Sequence, residues 1–493
     1  MSPSDPSVNS NRYAKYFLLS IMAVQALLCL RLIHANSAFG DEALYLWSGH
    51  LEVAHLLHGA PVPAFQTWFS GSPVLYPVAA AAADHIGGLT GARLLSLVCM
   101  LGSTGCLYGM ARRLADRTTA LYGCAVFALL GPGWDLGVFA TYDAPAILVL
   151  ALAGYIATLQ PRAIEPALLL VAALLALADA VKYAAALWNP VVIALVAVAA
   201  LGHGGRVALL RAARTALYTA ALITWAVVGL GGRPYERGIS STTTARIGGS
   251  NSVSMVLGQA ATMIGPVLVL ALLAVVIAAN QERRMLPLML VATAALLLAP
   301  ANQARLGTTT SLHKHVVFGA LFAAIAAGYA LAYLHRAAAA RATRVLMGAT
   351  AFVPVVIIGL ALSSNLYSYW PDSAGYVAAL RPIMANRSMP RDYSLDGQGY
   401  DVVAYYLPTE VNSKDFQYQY WTTAGFTTAI DHRALAAVLL DWAGLDGKQD
   451  QVNEQILANS RTYRLAYAGT WSDEGKTLPL QVWALAAGTG PAS

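Results

Sequence analysis

Hydrophobic runs of membrane-spanning length, separated by short basic loops, constrain this chain more than any other feature. Eleven can be read, at 16–34, 89–110, 118–132, 143–160, 166–181, 185–201, 215–231, 253–279, 286–300, 316–334 and 345–362, each near the ~20 residues that cross a hydrocarbon core. Only helices and closed barrels satisfy their own backbone in lipid, and runs of this length are helical. Of the 493 residues 57% are hydrophobic and 11% charged, whereas about a quarter of a soluble domain is charged. The first run, Tyr16 to Leu32, lacks a small-residue cleavage site and reads as a span rather than a signal peptide.

The basic residues orient the runs. With the N-terminus in the cytoplasm, the inner loops carry Arg12 and Lys15, then Arg112, Arg113 and Arg117, then Arg162. Arg206, Arg211 and Arg214, then Arg283 and Arg284, then Arg336, Arg341 and Arg344 continue the pattern, as the positive-inside rule requires. The net charge of +6 therefore follows topology and is no nucleic-acid signature. An odd number of spans places residues 363–493 outside the cytoplasm. Composition shifts at that boundary: residues 1–362 hold 22 Lys/Arg against 12 Asp/Glu, and residues 363–493 hold 9 against 13. A tail of about 130 residues can build its own core. It combines a strand-like run, Tyr400 to Leu407, with helical patterning at Arg433 to Trp442 and Val452 to Leu457, and reads as a small extracytoplasmic α/β domain. Cys29, Cys99, Cys106 and Cys124 all fall in apolar segments and read as packing residues, so no disulfide framework holds the tail.

The chemistry-bearing residues gather in the outer segments. The first external loop, 36–88, opens with Asp41 and Glu42 at the start of a helix extending to His58. Leu44, Trp47, Leu51 and Ala54 share one face and Tyr45, Ser48, Glu52 and His55 the other, which predicts an interfacial helix anchored by Trp47. Capping and the helix dipole account for one carboxylate there but not readily for both. Asp143 opens the fourth span on the same side, and clustered carboxylates raise one another's pKa toward that of a general base. The opposing cations disobey the positive-inside rule: Lys182 beside Tyr183, with Asp179 one turn away as a neutralising partner, then Arg233, Arg237 and Arg246, then Arg305 and the run His313-Lys314-His315. Collected on one face, such cations bind a phosphate or diphosphate. A divalent cation is an open alternative at these carboxylates, or at His55, His58, His313 and His315, but no spacing demands one. There is no GxGxxG after a strand and no Walker A sequence, so no soluble-nucleotide fold is expected.

Asp41-Glu42-Ala43-Leu44-Tyr45-Leu46-Trp47 resembles the Asp-Glu motif in the first external loop of GT-C membrane glycosyltransferases, closest to the protein O-mannosyltransferase and lipid A aminoarabinose transferase superfamily. Thr141-Tyr142-Asp143-Ala144-Pro145 resembles that superfamily's second acidic motif, Lys182-Tyr183 its Lys-Tyr/Phe element, and Ser311 to His315 its later Lys-containing loop. The resemblance covers about residues 10–335. It implies a GT-C catalytic domain over 1–362 and an inverting transfer from a polyprenyl-phosphate sugar to a hydroxyl of a cell-envelope acceptor (glycan, lipid or protein). Asp41 would be the base, Glu42 and Asp143 would shape the acceptor site, and Lys182 and the Lys314 loop would hold the donor phosphate, with no cofactor required. Two features depart from the pattern: Tyr142 replaces a Pro, and Pro61 to Trp68 lacks a His-Pro-Pro element. In the tail, Tyr418, Tyr420 and Trp421 would suit stacking on sugars.

Two other classes compete. A transporter or flippase of a lipid-linked saccharide predicts charges at mid-membrane and paired halves, whereas here few charges lie centrally and no repeat is seen. A structural subunit of an envelope-assembly complex would make the carboxylates dispensable.

Overall fold

The computed structural model describes residues 6–159, 164–243, 245, 248–390, 392–395, 399–410, 422–442, 447–473 and 476–486. Arg162, Arg246, Tyr418, Tyr420 and Trp421 lie outside the described residues. Among those described, nine helical stretches are long and apolar enough to cross a membrane, so this is a multi-pass membrane protein. They correspond to nine of the eleven expected runs. The other two are shorter. Run 143–160 is the 15-residue helix Asp143–Ala157, and run 118–132 breaks into Arg117–Ala128 and Gly131–Leu136. At 1.5 Å per residue a 12-residue helix is about 18 Å long, short of the ~30 Å hydrocarbon core.

In chain order the helices are α1 (Pro6–Leu30), α2 (Gly40–His58), α3 (Tyr76–Leu114), α4 (Arg117–Ala128), α5 (Gly131–Leu136), α6 (Asp143–Ala157) and α7 (Ile164–Val181). Then follow α8 (Asn189–Ala200), α9 (Gly205–Thr224), α10 (Gly232–Thr242), α11 (Val253–Gln281), α12 (Leu286–Leu306), α13 (Leu312–Ala337) and α14 (Arg341–Leu366). The core is organised about α13, almost wholly buried among α4, α11 and α12. Its Ala-rich sequence permits that: a Cβ on Gly328 would overlap the Thr119 carbonyl of α4, the close backbone approach that small residues allow in lipid. The long α3 breaks at Gly87 and Gly88, the latter at φ +59°, one residue before the span expected from 89.

Two ends of the bundle differ in kind. At the C-terminal end of α13, Arg336 pairs with Asp116 at 3.2 Å and Tyr122 meets His335 at 2.8 Å. Arg284 pairs there with Glu282, which also accepts from Tyr329 at 3.0 Å. Basic loop residues thus gather at one end. The N-terminal end of α13 faces α2, the start of α6 and the end of α7.

Beyond α14 lie α15 (Ala374–Ala385), α16 (Gly399–Tyr406), α17 (Thr423–Asp431) and α18 (Gly447–Asn459), packed with a sheet of β1 (Asp392–Leu395), β2 (Leu435–Leu440), β3 (Tyr463–Asp473) and β4 (Lys476–Leu485). The sheet order is β1-β2-β4-β3, with β1 and β2 parallel and the other pairs antiparallel. Two sequence expectations reverse here. The strand-like run from Tyr400 is the helix α16, whose buried Tyr400, Val403 and Ala404 follow helical spacing. The helical-looking Arg433 to Trp442 holds β2, buried at all six positions; a strand covered on both faces is a continuous apolar run without alternation. The expected helix at Val452 to Leu457 is present as α18.

The face of α2 also differs from expectation. Tyr45, Ser48 and Glu52, placed on the polar side, are buried, and Leu56 and Leu57 are exposed. Trp47 is no membrane anchor: it packs edge-on against Phe65 at 5.6 Å and Tyr400 of α16 at 5.9 Å. Its partner lies some 350 residues on, beyond the reach of local patterning. Among the described residues all four cysteines are free.

Candidate active site

The helix starts and breaks at the N-terminal end of α13 bring four charges together. Asp41 stands in the first turn of α2, Lys314 in the first turn of α13, and Lys314 Nζ donates to Asp41 Oδ2 at 2.6 Å. Asp143 begins α6 and is fully buried; it pairs with Lys182, also buried, and accepts from Thr141 Oγ1 at 3.0 Å. Each lysine acts electrostatically on the carboxylate of the other pair as well. The cluster therefore holds two positive and two negative charges at one spot. Asp41 is its opening, with 39% of its side chain exposed against 6% for Lys314.

Local chemistry explains each placement. Lys182 sits where α7 stops, its backbone extended at φ −148°. The loop before α3 clamps that break: Ser72 N donates to Ala180 O and Tyr183 N to Ser70 O, both at 2.8 Å. Gly71 makes the approach possible, since a Cβ there would overlap the Val181 carbonyl oxygen. Lys314 is held by the turn before α13, where Ser311 takes a left-handed φ of +61°. A non-glycine residue in that region costs free energy, and such outliers cluster at functional sites. A cation in a first helical turn also opposes the dipole, so Lys314 depends on its carboxylates. Aromatic faces complete the setting: Lys314 Nζ lies 5.2 Å from the Phe139 ring centroid and Lys182 Nζ 4.9 Å from that of Tyr142. The Tyr45 ring lies tilted against that of Tyr142, centroids 4.6 Å apart, and burial holds the Tyr45 phenol far above its ordinary pKa, hence neutral.

Glu42 is placed quite differently from Asp41. It is fully buried and takes a two-pronged bond from Arg93, Nε at 2.9 Å and Nη2 at 2.7 Å. Its remaining capacity goes to backbone, Ala140 N at 2.8 Å and Phe39 N at 3.0 Å. Arg93 in turn donates to the carbonyls of Ile33, Asn36 and Ser37. One carboxylate of the pair thus caps α2 and ties it to α3 and to the start of α6. Arg93 was not singled out in the sequence, although an arginine inside an apolar run is itself a signal.

The remaining candidates divide. His313 and His315 flank Lys314 on α13; His315 Nδ1 lies 3.0 Å from Gln303 Nε2, which also donates to Thr310 O. Tyr183 adjoins the cluster, but its hydroxyl is buried without a hydrogen-bond partner among the described residues. Arg305 is exposed on α12 and donates to Asn302 at 3.0 Å, and Arg237 is exposed on α10; neither joins the four charges. Asp179 does not neutralise Lys182. It accepts from Asn189 Nδ2 at 2.7 Å, because Lys182 is spent on Asp143. Among the described residues no group of three or more His, Cys, Asp or Glu side chains is arranged to hold a metal ion. Asp401 of α16, not among the sequence candidates, feels the charge of Asp41.

Residues 73–230 match the family described as dolichyl-phosphate-mannose-protein mannosyltransferase. No curated protein matches the chain significantly. ArnT from Cupriavidus metallidurans, in its crystal structure bound to undecaprenyl phosphate, superposes with a TM-score of 0.60 at 15% identity, covering 96% of this chain and 99% of that one. Its apo state gives 0.60 at 16% identity, covering 98% and 100%. The archaeal oligosaccharyltransferase AglB from Archaeoglobus fulgidus, in complex with an inhibitory peptide and a dolichol-phosphate, gives 0.54 at 14% identity, covering 98% of this chain and 75% of that one. Together with the family match, these superpositions show that the chain has the fold of the GT-C membrane glycosyltransferases.

Proposed function

We propose that this protein is an inverting glycosyltransferase that moves a sugar from a polyprenyl-phosphate carrier to a hydroxyl of a cell-envelope acceptor on the outer face of the membrane. The observation that carries this reading is the accessible Asp41 carboxylate bonded to buried Lys314, beside the buried Lys182–Asp143 pair. Carrier phosphates held by the solved relatives support it: undecaprenyl phosphate in one and dolichol-phosphate in the other. The gathering of basic loop residues at the opposite end of the bundle supports the outward orientation of the site.

The chemistry balances within the cluster. A donor phosphate competes for Lys314 and so frees Asp41. The acceptor oxygen attacks the anomeric carbon as its proton passes to Asp41, and the bond from that carbon to the phosphate oxygen breaks. The electron pair leaves on the carrier phosphate, whose growing charge faces Lys314 and Lys182. Asp143 keeps Lys182 in place, and Glu42 with Arg93 positions the helix that carries Asp41. His313, His315 and Tyr183 line the donor side. The charge of the donor phosphate is met by Lys314 and Lys182, and this mechanism includes no divalent cation.

The test is transfer in detergent from radiolabelled polyprenyl-phosphate mannose, arabinose, glucose and galactose to an envelope extract. Wild type should transfer from one donor. Asp41→Asn should lose at least about 100-fold, the low end for removing a general base, while still binding that donor. Full activity of Asp41→Asn would remove the mechanism.

A further inference from the structure

A cleft of about 670 Å3 opens between α3 and α6 at the basic end of the bundle, remote from the four-charge cluster. Its floor is apolar: Gly102, Gly105 and Gly109 share one face of α3, beside Leu152 and Tyr155 of α6. Two of these glycines serve packing. A Cβ on Gly102 would press on Leu148 at 2.9 Å, and one on Gly109 would meet the Tyr155 ring at 2.5 Å. Gly105 differs, because a Cβ there meets nothing within 4 Å. Glycine inside a helix is destabilising relative to alanine, and no neighbour demands it here. What Gly105 supplies is depth.

The mouth of the cleft is cationic. Arg112 and Arg113 line it, and among the described residues no carboxylate does. Other arginines at this end have carboxylate partners: Arg336 pairs with Asp116, Arg284 with Glu282 and Arg214 with Glu165. Arg112 makes no ion pair or hydrogen bond among the described residues. Arg113 lies over Tyr155, its Cζ 5.4 Å from the ring centroid and its Nη2 donating to the hydroxyl at 3.4 Å. The positive-inside rule asks for basic residues at this end; it does not ask for a cleft beneath them. The length of the cleft fits one leaflet. From Gly102 to Arg113 is eleven residues of α3, about 16 Å at 1.5 Å per residue and so about half of the ~30 Å hydrocarbon core.

We infer that this cleft binds one anionic phospholipid of the surrounding leaflet, with its phosphate at Arg112 and Arg113 and an acyl chain along the glycine floor. The two halves of the cleft select for the two halves of that molecule. A soluble anion gains nothing from the apolar floor, and a zwitterionic headgroup brings a cation toward two arginines. Basic pockets between membrane helices bind anionic headgroups on this principle. The bound lipid braces α3 against α6, and these helices carry Arg93 and Asp143 at their other ends.

The experiment adds phosphatidylglycerol, phosphatidylcholine of the same chains, or inorganic phosphate to delipidated protein in detergent. Binding is read from native mass spectra and from the thermal midpoint. Phosphatidylglycerol should bind and raise the midpoint; the other two should leave it unchanged. Arg112→Gln with Arg113→Gln should weaken phosphatidylglycerol about 30-fold, about fivefold for each arginine. Gly105→Leu should weaken it at least about tenfold by filling the floor, while the lipid-free protein stays as stable as wild type, since the new side chain enters open space. Equal binding of the two lipids, or phosphatidylglycerol affinity that neither variant changes, overturns the inference. So does a midpoint raised as far by inorganic phosphate alone. Displacement of phosphatidylglycerol by an equal concentration of a polyprenyl phosphate would give the cleft to the carrier instead, and the inference would fall.

Discussion

Glu42 and Arg93 give the sharpest prediction, because it separates scaffold from chemistry within a single Asp-Glu motif. Both side chains are essentially inaccessible, 0% and 1% exposed. Glu42→Gln keeps the shape and removes the charge. Arg93 is then left as an uncompensated buried cation, still bonded to three carbonyls. Removing one partner of a buried pair costs about 3–5 kcal/mol, and the surviving carbonyl bonds put this change near 3. Arg93→Met leaves the Glu42 carboxylate with only the Ala140 and Phe39 amides and strips three carbonyls of their donor, which places it near 5 kcal/mol. At about 2 °C per kcal/mol, the low end for domains half this size, the midpoints fall by about 6 and 10 °C.

The double variant decides the matter. If the pair acts as one unit, Glu42→Gln with Arg93→Met loses less than the two single changes added together, by about 2 kcal/mol or more. The assay is the fraction of monodisperse protein left after heating in detergent, followed by transfer measured well below each midpoint. A Glu42→Gln protein as stable as wild type but unable to transfer sugar would refute the scaffold assignment and return Glu42 to the reaction.

Gly71→Ala places a methyl group on the Val181 carbonyl and shifts the α7 break that presents Lys182; donor affinity measured by titration should fall at least about tenfold, and wild-type affinity would show that the clamp is dispensable. Activity should survive EDTA and gain nothing from added Mg2+ or Mn2+; loss on chelation with recovery on re-addition would mean that a cation shares the carboxylates. Asp401, at about 7 folded and about 3.9 when free, makes the folded state bind more protons than the unfolded one between those values, so its contribution lowers stability as pH rises from about 4 to 7 and is level above. The slope of thermal midpoint against pH over that window should therefore be less negative in Asp401→Asn, and identical slopes would sink the assignment.

Much of the fold was legible because lipid imposes one strong rule. Any segment that crosses must be helical and apolar for about 20 residues, and nine of the expected runs meet that standard. Run 118–132 falls short of that length because the helix α4 ends at Ala128 and the chain turns into α5 at Gly131-Pro132. In the C-terminal domain the rule does not apply. There β2 and α16 exchanged their expected types, since burial on both faces erases the period that distinguishes strand from helix.

The site was legible in proportion to how local its logic is. Asp41, Asp143, Lys182 and Lys314 each sit at a helix start or break, where a charge in a membrane protein already calls for explanation. Their pairing, however, joins residues 39 and 273 positions apart, and nothing in the spacing predicts which lysine meets which aspartate. Asp179, one turn from Lys182, was the natural guess and lost to Asp143. Arg93 and Asp401 were missed for opposite reasons. Arg93 reads as one more charge in a span until Glu42 is found against it. Asp401 reads as an ordinary surface residue until α16 is found packed along α2. The four charges are paired two by two and only Asp41 reaches solvent, so the sequence shows which positions carry charge while the fold decides which partner each one meets and which stays accessible.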